Sequence, residues 1–223
     1  MSLNTLYVSK NHPKQMKIVA ISDTHGQHEE LLLPPGDVLI HAGDVSGRGY
    51  SKEIKKFIKW FAAQPYEYKI FISGNHDFFF EQKLRAEIEA VLHPDIIYLN
   101  DSGISIDGIN FWGSPVQPWF LDWAFNRQRG EDIDKHWNLI PSDTDVLITH
   151  GPPYGILDRT FRDEQVGCEM LLKKIEEVKP KLSIFGHIHE GYGIAERGGT
   201  TFVNASVLNL QYQLVNEPIV IEI

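Results

Sequence analysis

Apolar residues in this chain fall in short blocks, each closed by Gly, Pro, Asn or Asp. "MKIVAIS" (16–22), "DVLIHAG" (37–43), "YKIFISG" (68–74), "DIIYLN" (95–100), "DVLITHG" (145–151) and "KLSIFGH" (181–187) are continuous rather than alternating, which predicts strands covered on both faces. "ISIDGINFWGS" (104–114) reads as a hairpin turning at Asp107-Gly108, and "GYGIAERGGTTFVNAS" (191–206) as a second around Gly198-Gly199. "EPIVIEI" (217–223) closes the chain as a strand. A helical period runs between the blocks. Over 51–63, Ile54, Phe57, Ile58 and Phe61 recur at spacings of three and four behind a Ser51 cap. Segments 77–92 and 167–178 repeat that pattern, and 122–140 reads as a helix interrupted near Gly130. Strands alternating with helices, and hairpins concentrated in the second half, predict an α/β (α+β) chain folding as one domain over 1–223.

Composition narrows the classes. At 42% hydrophobic the chain can bury a sizeable core, which excludes disorder. No apolar run approaches the roughly 18 residues of a membrane span, and "MSLNTLYVSKNHPKQM" lacks the apolar stretch of a signal peptide. With Cys168 as the single cysteine no intrachain disulfide can form, so a cytoplasmic location is the expectation. A net charge of −9 argues against an extended nucleic-acid surface, which needs cations to displace counterions. Nothing in the pattern specifies an oligomer.

The informative polar residues stand at strand ends. "SDTHG" brings Asp23 and His25, "AGDVSGRG" brings Asp44, and "SGNHD" brings Asn75 and His76. "ITHGPP" brings His150, and "FGHIHEG" brings His187 and His189. Ligands bind outside the carboxyl ends of strands in open α/β sheets, so residues remote in sequence converge there. Mixed carboxylate, carboxamide and imidazole donors suit first-row divalent metals. Seven donors exceed one tetrahedral site and fit two cations about 3.5–4 Å apart sharing a carboxylate. His187 and His189 alternate, which on a strand end would put them on one face. His41, inside "VLIHAG", reads as a core or supporting residue, and His12, His28, His93 and His136 as surface or cap residues.

In order, Asp-x-His, Gly-Asp, Gly-Asn-His-Asp, His and Gly-His-x-His resemble the calcineurin-like metallophosphoesterase superfamily over positions 23–189. "GDVSGRG", "THGPP" and "GHIHEGYG" also resemble its metallophosphoesterase-domain branch, similar to cyclic-nucleotide phosphodiesterases. The resemblance implies a two-sheet β-sandwich flanked by helices. It implies one metal on Asp23, His25, Asp44 and His189, and a second on Asp44, Asn75, His150 and His187, with Asp44 bridging. The metals would be drawn from Mn, Fe, Zn, Co or Ni. His76 would contact the phosphate and protonate the leaving group. Asp77 would orient the His76 ring, or serve only as a helix N-cap.

Two cations would lower the pKa of a shared water enough to supply hydroxide near neutral pH. The activity the resemblance implies is a phosphodiesterase on small phosphoesters, nucleotides or cyclic nucleotides among them. Phosphomonoesterase, nucleotide pyrophosphatase, nuclease and non-catalytic metal-binding scaffold are the alternatives. Relative to "GDxxDRG" of the protein phosphatases, Gly47 replaces the second Asp, which argues against a phosphoprotein substrate; Arg48 aligns with their phosphate-binding arginine or is a solvated loop arginine. The aromatics of 111–125 either stack on a base or fill core.

Overall fold

The computed structural model describes residues 15–223. Two sheets face each other. The first runs, in spatial order, through the parallel strands β1 (Lys17–Ile21), β2 (Val38–Ala42), β3 (Tyr68–Ile72) and β4 (Ile96–Tyr98), with β13 (Ile219–Glu222) antiparallel at the free edge of β1. The second has a parallel centre, in spatial order β12 (Thr200–Asn204), β10 (Leu182–Phe185), β9 (Val146–Thr149) and β6 (Ile109–Ser114). Both of its edges are hairpin arms, β11 (Gly193–Arg197) beside β12 and β5 (Ser102–Ile106) beside β6. A short ribbon pairs β7 (Gln117–Pro118) with β8 (Asn126–Arg127).

The continuous apolar strands follow from three stacked cores. Ile18, Ala20, Ile40, Ile70 and Ile72 meet Phe111, Val146, Ile148, Leu182 and Ile184 between the sheets. The alternate residues Val19, Ile21, Leu39 and Phe71 pack outward on Ile54, Phe57, Ile58 and Phe61 of α1 (Ser51–Ala62). On the far side Leu147, Phe185 and Phe202 meet Ile133 and Trp137 of α4 (Glu131–Trp137), and Leu171 and Ile175 of α5 (Glu169–Val178). Every side of these strands is covered, so no polar alternation was available to read. The expected mixed α/β, two-sheet architecture flanked by helices is the one observed.

Four local expectations are corrected. The helix over 77–92 is two, α2 (Phe78–Gln82) and α3 (Arg85–Glu89), because Lys83 and Leu84 are extended between them and Glu87 caps the second by accepting from Leu84 N. Only the last part of 122–140 is helical. Asn126 donates to the carbonyls of Phe120 and Leu121 and accepts from Phe120 N, which folds 119–126 into a loop and ribbon, and Gly130 (φ +84°) starts α4. Ser51 is the first helical residue rather than a cap; Glu53 reaches back to accept from the N–H groups of Gly47, Arg48 and Tyr50. His28 is buried and His136 half-buried, where surface positions were expected, whereas His93 is exposed. His12 lies outside the described residues. Among the described residues no helix is long and apolar enough to cross a membrane.

Candidate metal centre

The carboxyl ends of β1, β2, β3, β9 and β10 open on one edge of the sandwich, and each delivers a polar residue there. Beyond those ends the backbone turns through left-handed space at Asp23 (φ 54°), His25 (42°), Asp44 (54°) and His187 (68°), none of them glycine. Two glycines make room by lacking a side chain. A Cβ on Gly74 would collide with Asp44 Oδ1, and one on Gly186 with Asp23 Oδ2.

Asp44 is central. Its Oδ2 lies 3.6 Å from His25 Nε2, 3.5 Å from His150 Nε2 and 4.0 Å from His76 Nε2, while Oδ1 accepts from His76 N at 2.8 Å. Asp23 lies 3.6 Å from His189 Nε2 and accepts from Ser206 Oγ and from His187 N. Asn75 Oδ1 faces His150 Nε2 at 2.8 Å and His187 Nδ1 at 2.9 Å. Ligand atoms of Asp23, His25 and His189 fall within 4.8 Å of one another, as do those of His25, Asp44 and His76, and those of Asp23, Asp44 and His150. All seven residues expected at a metal pair are thus brought together. His187 and His189 arrive through a turn after β10, not by strand alternation: His187 is left-handed and His189 starts a short 3₁₀ turn (His189–Gly191).

Tautomers show whether the set fits cations. His150 Nδ1 donates to the Ala42 carbonyl at 3.0 Å, and His189 Nδ1 donates to the Asn209 carbonyl at 3.0 Å. In the neutral rings that leaves each Nε2 a lone pair. The His150 lone pair would then face the oxygens of Asn75 and Asp44, a repulsive arrangement unless a positive charge sits among them. Both ring nitrogens of His25 are buried and make no hydrogen bond. A cation answers each of these at once, and the donor set fits a divalent one. Without it, protons must answer. Burial opposes charge on His150, yet Asp44 and then Asp23 raise its pKa to about 9; burial likewise opposes His189, and Asp23 raises it to about 9. Burial and the His150 charge lower His187 to about 3, and burial lowers His25 to about 4.

His76 stands at the rim. Its Nδ1 donates to the Gly47 carbonyl at 2.8 Å, and its ring stacks on Trp123 with centroids 4.1 Å apart. The Arg48 guanidinium lies 5.1 Å from the Trp123 ring centroid. Asp77 does not touch the His76 ring, nor does its side chain cap α2. It is fully buried and accepts from Val45 N (3.1 Å), Ser46 N (3.0 Å), Ser46 Oγ (2.6 Å) and Gly74 N (2.8 Å). Its expected role as ring orienter therefore passes to the Gly47 carbonyl, and Asp77 acts one step back by pinning the loop that carries it. Burial and the Asp44 charge raise its pKa to about 7 against these donors.

Sequence reasoning did not single out Trp123 as the stacking partner of His76, nor Ser206 and Tyr212. Tyr212 sets its ring 4.8 Å from His25 and 5.7 Å from His189. His41 has the supporting place expected, with Nε2 2.9 Å from Thr24 Oγ1. The aromatics of 111–125 divide: Phe111 and Phe125 are buried, Trp112 packs against the outer core, and Trp119 and Phe120 are exposed.

The calcineurin-like phosphoesterase family model matches residues 16–191. The chain is 45% identical over 234 residues to human Metallophosphoesterase domain-containing protein 1, covering 95% of this chain and 72% of that protein. It is 41% identical over 217 residues to UPF0046 protein K07C11.7 of Caenorhabditis elegans, covering 92% of this chain and 74% of that one. TT1561 of Thermus thermophilus has the same fold, with a TM-score of 0.59 over 85% of this chain and 88% of that one at 16% identity.

Proposed function

The chain belongs to the calcineurin-like phosphoesterases, and from that premise we propose that it is a dinuclear metal-dependent phosphodiesterase acting on small phosphodiesters of nucleotide type. Asp23, His25, Asp44 and His189 would hold one cation, and Asp44, Asn75, His150 and His187 the other. The observation that carries this reading is the position of Asp44 Oδ2, 3.6 Å from His25 Nε2 of one set and 3.5 Å from His150 Nε2 of the other. A carboxylate standing between imidazoles of both sets is placed to serve both cations. When bound, such cations supply Lewis acidity at the phosphoryl oxygens and a water acidic enough to act near neutral pH.

The chain's own residues supply the rest. The Gly47 carbonyl fixes the His76 proton at Nδ1 and turns Nε2 toward the centre, within 4.0 Å of Asp44 Oδ2. When the ring carries a second proton, at Nε2, it can pass that proton to a departing alkoxide and keep the one at Nδ1, a contribution of roughly 10²–10⁴-fold. Trp123 shields one face of that ring from water and limits its rotation. A diester carries one negative charge and a monoester two at neutral pH. Arg48, the cation of the "GDVSGRG" loop, lies over Trp123, which puts one exposed cation beside the ring stacked on His76.

The test is turnover after manganese reconstitution, with bound metal counted, on bis- and mono-p-nitrophenyl phosphate and on 2′,3′- and 3′,5′-cyclic nucleotides. Diester cleavage in the wild type, with cyclic-nucleotide turnover falling at least tenfold in His76→Ala, a smaller loss on the p-nitrophenyl diester and metal content unchanged, is the expected result. Cleavage of monoesters alone would move the assignment to a monoesterase. No turnover on any of them with two metals bound would overturn it.

A further inference from the structure

Beside His187 the metal centre opens into a cleft of about 330 Å³ that its chemistry does not need. We propose that this cleft binds the nucleobase of the substrate, stacked between Trp119 and Phe161, with Glu190 selecting bases that carry an exocyclic amino group. This inference rests on the nucleotide-type reading above and specifies which part of the substrate is recognised and where.

Several observations support it. Trp119, Phe120 and Phe161 are 52%, 56% and 72% exposed, and they gather at one cleft with Pro152 and Leu210. Scattered exposed apolar side chains need no explanation, but rings converging on a concave site next to catalytic machinery do. The cleft volume sits at the low end of small-molecule pockets, roughly 300–1,000 Å³, which suits one base with its sugar better than a dinucleotide. Its walls are also fixed. Trp119 N donates to the Arg127 carbonyl at 2.9 Å, which holds the tryptophan on the β7–β8 ribbon. Arg129 donates to the carbonyls of Gly167 and Val166, both at 2.7 Å, tying that ribbon to the opposite wall. Arg129 is therefore committed to structure rather than free to meet a phosphate.

Glu190 decides between aromatic and aliphatic occupants. Its Oε1 accepts from Phe161 N at 2.8 Å, which anchors the Phe161 loop, and no described residue donates to Oε2. An acyl chain lying here would desolvate that carboxylate oxygen and offer nothing in return. A base edge with an amino group offers a donor. Uracil is a poorer match, because its single ring N–H lies between two carbonyls that the carboxylate repels. The net charge of −9 argues against a polymeric nucleic acid as the source of the base.

Calorimetric titration of the manganese-reconstituted chain with adenosine 5′-monophosphate and with ribose 5-phosphate isolates the base. Stacking and its hydrogen bond should make the nucleotide tighter by roughly 5- to 150-fold. Trp119→Ala and Phe161→Ala, both exposed positions, should remove most of that ratio without moving ribose 5-phosphate. Glu190→Gln should narrow the preference for adenosine over uridine monophosphate. Equal affinity for the two probes in the wild type, or a ratio that survives both alanine variants, overturns the pocket. The two readings fail separately. Ribose 5-phosphate binding that ignores chelation would count against the metal-centred phosphoesterase, whereas chelator-sensitive binding with no base effect would count against the pocket alone.

Discussion

Asp77→Asn tests how the centre is held, because it removes a charge without removing a shape. The carboxylate accepts from three backbone N–H groups and one hydroxyl in a site without solvent. An asparagine must put its NH₂ group at one of the two oxygen positions. At Oδ2 it would oppose two N–H groups, Val45 and Gly74; at Oδ1 it can donate to Ser46 Oγ but still opposes Ser46 N. The second is cheaper and strands one buried N–H, at about 1–3 kcal/mol. Above about pH 7, where Asp77 is ionised, the two remaining bonds also lose their charge assistance, about 1 kcal/mol each. The sum is roughly 3–5 kcal/mol, which for a chain of this size lowers Tm by roughly 6–20 °C. Because Ser46 precedes Gly47, the carbonyl that holds His76 Nδ1 also moves, so diester turnover should fall while phosphate binding persists. Thermal unfolding in chelator and in manganese, paired with kcat and KM, separates these effects. An unchanged Tm with full kcat would show that the four contacts do not hold the loop.

Other perturbations report on other parts. Trp123→Ala removes the stack on His76, worth about 0.5–1.5 kcal/mol, so kcat on alkoxide-leaving diesters should drop roughly two- to tenfold while p-nitrophenyl esters, which need no proton, change less; equal losses on both would discard the link to the proton donor. Gly74→Ala drives a methyl into Asp44 Oδ1 and to 2.6 Å from His150 Cε1, so elemental analysis of the purified variant should find both metals depleted; two retained metals would refute a shared Asp44. His28 lies against Phe57 and Trp60, both ring nitrogens lack partners, and burial, with Lys56 second, lowers its pKa to about 4. The unfolded chain protonates first as pH falls, so this stability is complete above about pH 6.5 and declines toward pH 4 by up to about 3 kcal/mol. His28→Phe should flatten that slope in urea titrations at pH 7 and 5, and an unaltered slope would place the pH dependence elsewhere.

What the sequence revealed, and what it concealed, follows from where each signal resides. A strand covered on both faces is apolar along its whole length, so β1, β2, β3, β9 and β10 could be read from residues alone, as could the Asp, Asn and His ending each of them. Asp77 could not be placed, because Val45 and Ser46, two of its three partners, lie about thirty residues away and a carboxylate before three phenylalanines looks the same whether it caps, orients or clamps. His28 sits among Gln27, Glu29 and Glu30, which suggests surface, yet it is buried with its ring against Phe57 and Trp60 of α1. Helical periodicity ran straight through Lys83 and across 122–126, since spacing says nothing about a glutamate or asparagine that binds the backbone and stops the helix.

The left-handed ligands explain why the site must be built this way. A strand alternates its side chains between faces, so a ligand that merely continued β1 or β2 would enter a core rather than the edge. A left-handed turn just past the strand swings the side chain across the edge, at a cost of roughly 1–2 kcal/mol for each non-glycine residue. Asp23, His25, Asp44 and His187 all bear it. Local contacts offset it: Asp23 N donates to the Gly43 carbonyl, His25 N to the Asp44 carbonyl, and His187 N to the Asp23 carboxylate. The ends of β1, β2 and β10 therefore brace one another through the same residues that would grip the cations. Loss of one ligand then releases two strained turns as well as a donor, so alanine substitution at Asp23 should disturb the His187 side of the centre as much as its own.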